Sequence, residues 1–219
     1  MRIARKRCRD IGLLLLVWIG FMSPSAQAQL SRVQVQPESQ VQVQVQAQPT
    51  KPSENWVDQL TGLQTPADID VAALRQEAAA RVKAKADPVP TKRPPIAPAL
   101  LNLPRCIIDI QFDEDTPIVR PDSYRTLGRI ADTLSDPALL GYKFLIVGHA
   151  PAGGRRDFNL ALSQRRADAV RDILVTTFRI SAKRLQAIGL GEEQLLDPAH
   201  PNAATNQRIQ IATVAAATP

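Results

Sequence analysis

The chain has 219 residues, of which 44% are hydrophobic and 4% aromatic, and its 27 basic and 21 acidic side chains give a formal net charge of +6. Five of those basic residues and one acid lie in the first 28 positions, so removing that stretch lowers +6 by four, to about +2. Few aromatics and charges of mixed sign exclude nucleic acid as a partner, because such a surface needs a one-sided basic field.

Residues 1–28 read as a signal peptide. A basic run (Arg2, Arg5, Lys6, Arg7, Arg9) precedes the apolar stretch 11–22, and small residues at Ala26 and Ala28 place the cleavage after Ala28. The apolar core is about twelve residues, against roughly 20 needed to span a bilayer. No cysteine stands at the cleavage site to carry a lipid anchor. Cys8 leaves with the leader, so one thiol, Cys106, remains and no internal disulfide is expected despite an oxidising destination. At the head of an apolar strand, Cys106 reads as a small buried hydrophobe.

Residues 29–103 read as a low-complexity, proline-rich linker, with a helix possible over 66–86. In 29–48 valine alternates with glutamine, and Pro37 and Pro49 punctuate the flanks, so the tract is read as disordered or loosely extended. The alanine-rich stretch 68–86 follows Pro66, a helix-initiating residue, but Ile69, Val71, Leu74 and Val82 are too few for a core of its own. Trp56, Leu60 and Leu63 form a docking element or, alternatively, part of a linker with transient helix. Six prolines over 87–104 predict a stiff spacer of about 55 Å, at ~3.1 Å per residue, that holds the two halves apart.

The compact part is expected over 104–214. A strand over 107–112 (IIDIQF) is followed by helical spacing through Tyr124, Leu127, Ile130, Ala131 and Leu134, and then by a strand over 143–147 (KFLIV), apolar enough to be central and buried. After a loop bearing Pro151, Gly153 and Gly154 comes a long helix over 157–178, then strands over 184–189 and 208–214. This βαβαββ order predicts an α+β fold of two layers, with the helices on one side of a mixed sheet and a largely disordered segment before it.

The long helix carries one exception to its own pattern. At about 100° per residue, with Leu162 at zero, Ile173, Val170 and Leu174 fall on one stripe and Arg166 lands within it at roughly 40°. An inward guanidinium costs several kcal/mol unless paired. Either Arg166 bonds backbone carbonyls or an acid such as Asp109, or it lines the floor of a cleft that receives an anion. Asn159 and Ser163 point the same way, near a helix start that favours negative charge.

These residues also carry a resemblance. Gly148, His149, Gly154, Phe158, Asn159, Leu162, Ser163, Arg166 and Ala167, continued by Arg184, Leu185, Gly189, Gly191, Glu192, Asn206 and Arg208, resemble the OmpA-like peptidoglycan-binding domain over about 104–214. The resemblance implies a non-catalytic, periplasmic cell-wall module, outer-membrane associated in many members, that clamps the diaminopimelate-bearing stem peptide of peptidoglycan. Arg166 would hold a ligand carboxylate, with Asn159, Ser163, His149 and Arg208 around it. The family's strand-end Asp, which holds the ligand's ammonium, is here Pro151, with neither charge nor N–H. Asp157 could stand in only from a helix angle of roughly 220°, which points away from Arg166. The alternative is an OmpA-like scaffold that no longer binds peptidoglycan and acts through protein contacts, with an envelope partner on 29–86.

No cofactor or metal site is expected, since His149, His200 and Cys106 lack ligand spacing. Ser163 lies inside a helix without a nucleophile elbow, so a hydrolase triad with His149 and Asp157 or Asp109 is set aside. Asp113, Glu114 and Asp115 read as a solvated turn or, alternatively, as a cation site or a clamp near the cleft. Residues 195–208 read as a loop crossing its mouth.

Overall fold

The computed structural model describes residues 55–67, 69–84 and 92–216; the expected signal peptide and the Val-Gln tract lie outside them. Four strands form one mixed sheet in the order β1-β4-β2-β3. They are β1 (Arg105–Ile108), β2 (Tyr142–His149), β3 (Leu185–Gly191) and β4 (Arg208–Ala216). β2 and β3 run parallel, as a helical crossover between them requires, and β4 lies antiparallel between β1 and β2. The helices are α1 (Trp56–Leu60), α2 (Val71–Lys83), α3 (Tyr124–Leu134) and α4 (Arg156–Thr176). The expected α+β arrangement is therefore present, with shifts of one to four residues at element ends.

The strand expected over 107–112 stops at Ile108 because its partner runs out. Ile108 faces Ile209, and β4 begins at Arg208. The alternation nonetheless persists, with Ile108, Ile110 and Phe112 buried and Ile107, Asp109 and Gln111 exposed, and Phe112 finds a single bridge to Val119. α4 ends where Arg179 takes φ 61, the left-handed turn that lets Ile180 N–H reach the Leu174 carbonyl at 3.0 Å.

Side chains alternate across the sheet, so consecutive residues of β2 serve two cores. Phe144 and Ile146 pack with Leu127, Ile130, Leu134, Val170 and Leu174 of α3 and α4, joined by Cys106. Leu145 and Val147, with Ile188, Leu190 and Val214, face the other way. That second face is covered by Val71, Leu74 and Ala78 of α2 and by Ile96, Ala97 and Leu100.

Two expectations for the upstream segment are corrected here. α2 has too few apolar residues for a core of its own, but it shares one with the back of β2 and β3. The proline-rich stretch is not a rod that holds the halves apart, because Ile96, Ala97 and Leu100 lie in the same cluster as Val71 and Val147. Trp56 and Leu60 dock on the chain's own main core: both are buried in it, and Arg129 stacks over the Trp56 ring at 4.6 Å. Polar ties fix the attachment. Thr213 Oγ1 donates to the Leu60 carbonyl at 2.7 Å, Ala67 N–H to Val214 at 2.9 Å, and the Arg75 guanidinium to the Ala187 carbonyl at 2.5 Å.

No helix among the described residues is long and apolar enough to cross a membrane.

Candidate functional site

The strand ends that carry the site residues are set by how closely α4 approaches the sheet. A Cβ on Gly148 would sit 2.2 Å from the Ser163 carbonyl oxygen, and one on Gly189 2.1 Å from the Gln164 nitrogen. Backbone thus lies against backbone, and the inward stripe of α4 (Asn159, Leu162, Ser163, Arg166, Ala167, Val170, Leu174) is buried, as its spacing predicts.

Arg166 is only 5% exposed. Its Nε donates to the Thr116 carbonyl at 2.9 Å, and its guanidinium lies over the Phe112 ring at 4.9 Å. The acceptor is thus a backbone carbonyl of the 113–118 turn, and Asp109 is not involved. Among the described residues the two terminal nitrogens have no hydrogen-bond partner. Burial lowers the pKa of this guanidinium, and the charge of Asp115 partly offsets the shift. Asp115 itself is exposed and held at φ 52 in that turn.

Asn159 and Ser163 stand beside Arg166 but are engaged by the protein. Asn159 Nδ2 is in reach of Gly153 O at 2.7 Å, Glu192 Oε2 at 3.0 Å and Pro151 O at 3.2 Å, which ties the glycine loop to the helix. Ser163 Oγ donates to Leu160 O at 2.9 Å and accepts from Gly191 N–H at 2.8 Å. These two residues position the loop and the strand end. Asp157 pairs in solvent with Arg155, away from Arg166.

His149 and Arg208 face each other across β2 and β4. Arg208 Nη2 donates to Gln194 O at 3.1 Å and Nη1 to Asn206 O at 3.4 Å, while its Nε is buried without a partner. Burial, with the charge of Arg105 second, brings Arg208 down to about 10, still far above neutral pH. His149 is buried, with neither ring nitrogen hydrogen-bonded among the described residues. Burial, reinforced by the Arg208 charge and only partly opposed by the Gln194 backbone, holds its pKa well below the ordinary range, so it is neutral in the native state.

That shift sets a pH dependence. An unfolded histidine titrates near ~6.5 and takes up protons that the native one refuses, so native stability is full above about 6.5 and declines as pH falls towards the native value, by up to about 1.4 kcal/mol per pH unit. Urea unfolding measured between about pH 7.5 and about pH 5 should show this slope in the parent and lose it in His149→Gln, which is neutral throughout.

Beside these residues a cleft of about 840 Å³ opens along β1, bounded by Asp109, Gln111, Pro151, Leu196, Asn202 and Arg208. The 195–208 loop forms one wall, pinned by fully buried Asn206, whose Oδ1 accepts from Leu196 and Asp197 N–H groups at 2.9 Å. Of the expected site residues, Arg208 lines this cleft, as does Pro151. Arg166 lies behind the 113–118 turn.

The sequence reading missed an ionic cluster under the glycine loop. Arg156 grips Glu193 through two contacts of 2.6 Å, and Arg93 reaches Glu192 at 2.9 Å and Glu193 at 3.8 Å. Glu192 stood within the family pattern and could have been singled out. Arg93 could not, because nothing local links it to a residue 99 positions away.

Residues 111–208 match the OmpA family. Outer membrane porin F of Pseudomonas aeruginosa is 33% identical over 119 residues, covering 52% of this chain and 32% of that protein. A peptidoglycan-associated lipoprotein of Mesorhizobium japonicum is 40% identical over 85 residues, covering 39% of this chain and 49% of that protein. The chain thus spans about a third to a half of the length of these relatives. Among solved structures, the OmpA-like domain of FopA1 from Francisella tularensis is 20% identical, with a TM-score of 0.43 over 52% of this chain and 77% of that one. From the glycine-bearing strand end through the Arg166 helix to Arg208, the chain carries an OmpA family domain over residues 111–208.

Proposed function

We propose that this domain is a non-catalytic cell-wall binding module of the periplasm, reading the diaminopimelate-bearing stem peptide of peptidoglycan with weakened affinity. The observation that supports it is Arg166. Its Nε and ring face are held by Thr116 and Phe112, yet its two terminal nitrogens are left without a partner among the described residues. Neither nitrogen is among the buried polar atoms without a partner, so both reach solvent and stand open to a ligand. They are donors preorganised for a carboxylate, which a guanidinium takes in a two-pronged grip. Pro151 limits the affinity, because at the cleft rim it offers only a carbonyl, already taken by Asn159.

Co-sedimentation of the purified mature chain with insoluble peptidoglycan tests both halves. Pro151→Asp should restore an ammonium partner worth about 1.5 to 3 kcal/mol, hence roughly tenfold to a hundredfold in affinity. Arg166→Ala should abolish the binding of parent and Pro151→Asp alike, in protein shown by circular dichroism to be folded.

One observation favours a second reading. Asn159 and Ser163 have their hydrogen bonds filled by the protein itself, as in a scaffold that kept the fold and lost the ligand. If Pro151→Asp gains nothing and folded Arg166→Ala loses nothing, that scaffold reading replaces the first.

A further inference from the structure

β1 is an edge strand, with α1 packed against it. Thr213 N–H donates to the Pro104 carbonyl, so by antiparallel alternation residues 104, 106 and 108 direct their backbone groups at β4. Arg105, Ile107 and Asp109 direct theirs outward. Among the described residues these outward groups have no partner, and the three side chains are exposed, Ile107 at 43%. Among the described residues Arg105 is bonded to the carbonyls of Leu101 and Leu103 and Asp109 to the Gln111 amide, so neither meets an opposite charge there. Two hollows lie along the strand, each bounded in part by α1: the 840 Å³ cleft between β1 and Trp56 and Arg129, and one of about 410 Å³ bounded by Gln59, Leu103 and Ile107.

We propose that this edge pairs with the same edge of a second copy, antiparallel and centred on Ile107, to join two four-stranded sheets into one of eight strands. The sequence is self-complementary about that centre. A two-fold axis through Ile107 sets Ile107 against its equivalent, Arg105 against Asp109 of the other copy, and Asp109 against its Arg105. The outward backbone groups of 105, 107 and 109 then meet as hydrogen-bonded pairs, and both charges find opposite partners directly across the strands. The contact is isologous and uses the same edge on both copies, so it closes as a dimer and does not extend along this edge into a fibre. Five residues bury less than the ~1,200–2,000 Å² of a stable interface, so the dimer is weak and forms with rising concentration.

Cysteine trapping in the full mature chain reads the register directly. Residues in such a pair lie about 5.5 Å apart between Cα atoms, within the usual disulfide range. Under mild oxidation Ile107→Cys should form a disulfide dimer about tenfold faster than Arg105→Cys or Asp109→Cys alone, because pairing raises the local thiol concentration. A mixture of Arg105→Cys with Asp109→Cys should cross-link as a heterodimer nearly as fast as Ile107→Cys. The charge swap is the second arm: Arg105→Asp should lower the dimer fraction in sedimentation velocity, and Arg105→Asp with Asp109→Arg should restore it. All these positions are exposed, so folding is preserved. Equal trapping rates at 105, 107 and 109, or a double swap no better than the single one, would overturn the proposal.

Discussion

A fragment starting at Pro104 should fail to fold stably, whereas one starting at Asn55 should retain the full cooperative transition. Removing the upstream segment takes Trp56 and Leu60 out of the main core and strips the back of the sheet of Val71, Leu74, Ala78, Ile96 and Leu100. At about 1.5 to 3 kcal/mol per large apolar side chain, the loss is on the order of 10 kcal/mol, comparable with the roughly 5 to 15 kcal/mol of a whole domain. Leu145, Val147, Ile188, Leu190 and Val214 would also become an exposed apolar patch, which drives association. Urea melts of the two fragments, with light scattering to register aggregation, check this. A fragment from Pro104 that unfolds cooperatively within about 2 kcal/mol of the longer one would mean that the docked segment adds little.

The cover on the second face explains which parts of the fold were legible. α4 could be read from spacing alone, because a helix on one face of a sheet shows its burial as a period of 3.6, and the buried set on α4 follows that stripe down to Arg166. The segment before residue 104 could not be read this way. α2 has few apolar residues, and their partners are the back-facing side chains of β2 and β3, far away in sequence. One signal was nevertheless present. KFLIV is apolar at consecutive positions, and a strand buried on both faces needs a layer on each. The two domain helices supply one layer, so something else in the chain had to supply the other.

The site divides in the same way. That Arg166 points inward follows from the helical period, and its tie to the Thr116 carbonyl was among the alternatives the sequence left open. The identity of that carbonyl, 50 residues away, depends on how the 113–118 turn folds over α4. Likewise, the hydrogen-bonding capacity of Asn159 is evident from its type, but the choice of Pro151, Gly153 and Glu192 as its acceptors depends on the path of the glycine loop.

Gly189→Ala should be the most damaging conservative substitution in the domain, at about 3 kcal/mol or more, the upper end of the cost of overpacking. The added methyl would lie 2.1 Å from Gln164 N, 2.4 Å from its Cα and 2.6 Å from the Ser163 carbonyl carbon, all backbone atoms that no rotamer change can move aside. α4 would have to lift from β3. That would break the 2.8 Å hydrogen bond from Gly189 N–H to Gln164 Oε1 and the one from Gly191 N–H to Ser163 Oγ, and it would carry Arg166 away from Thr116. Gly141→Ala is the control, since nothing lies within 4 Å of its new methyl and its φ is ordinary. Gly154→Ala has the same free space but a φ of +77, so it should cost about 1 to 2 kcal/mol through backbone strain alone. The three values should rank as Gly141, Gly154 and Gly189 in urea unfolding. A Gly189→Ala variant as stable as Gly141→Ala would mean that the helix yields easily, and the site would then not be held by this contact.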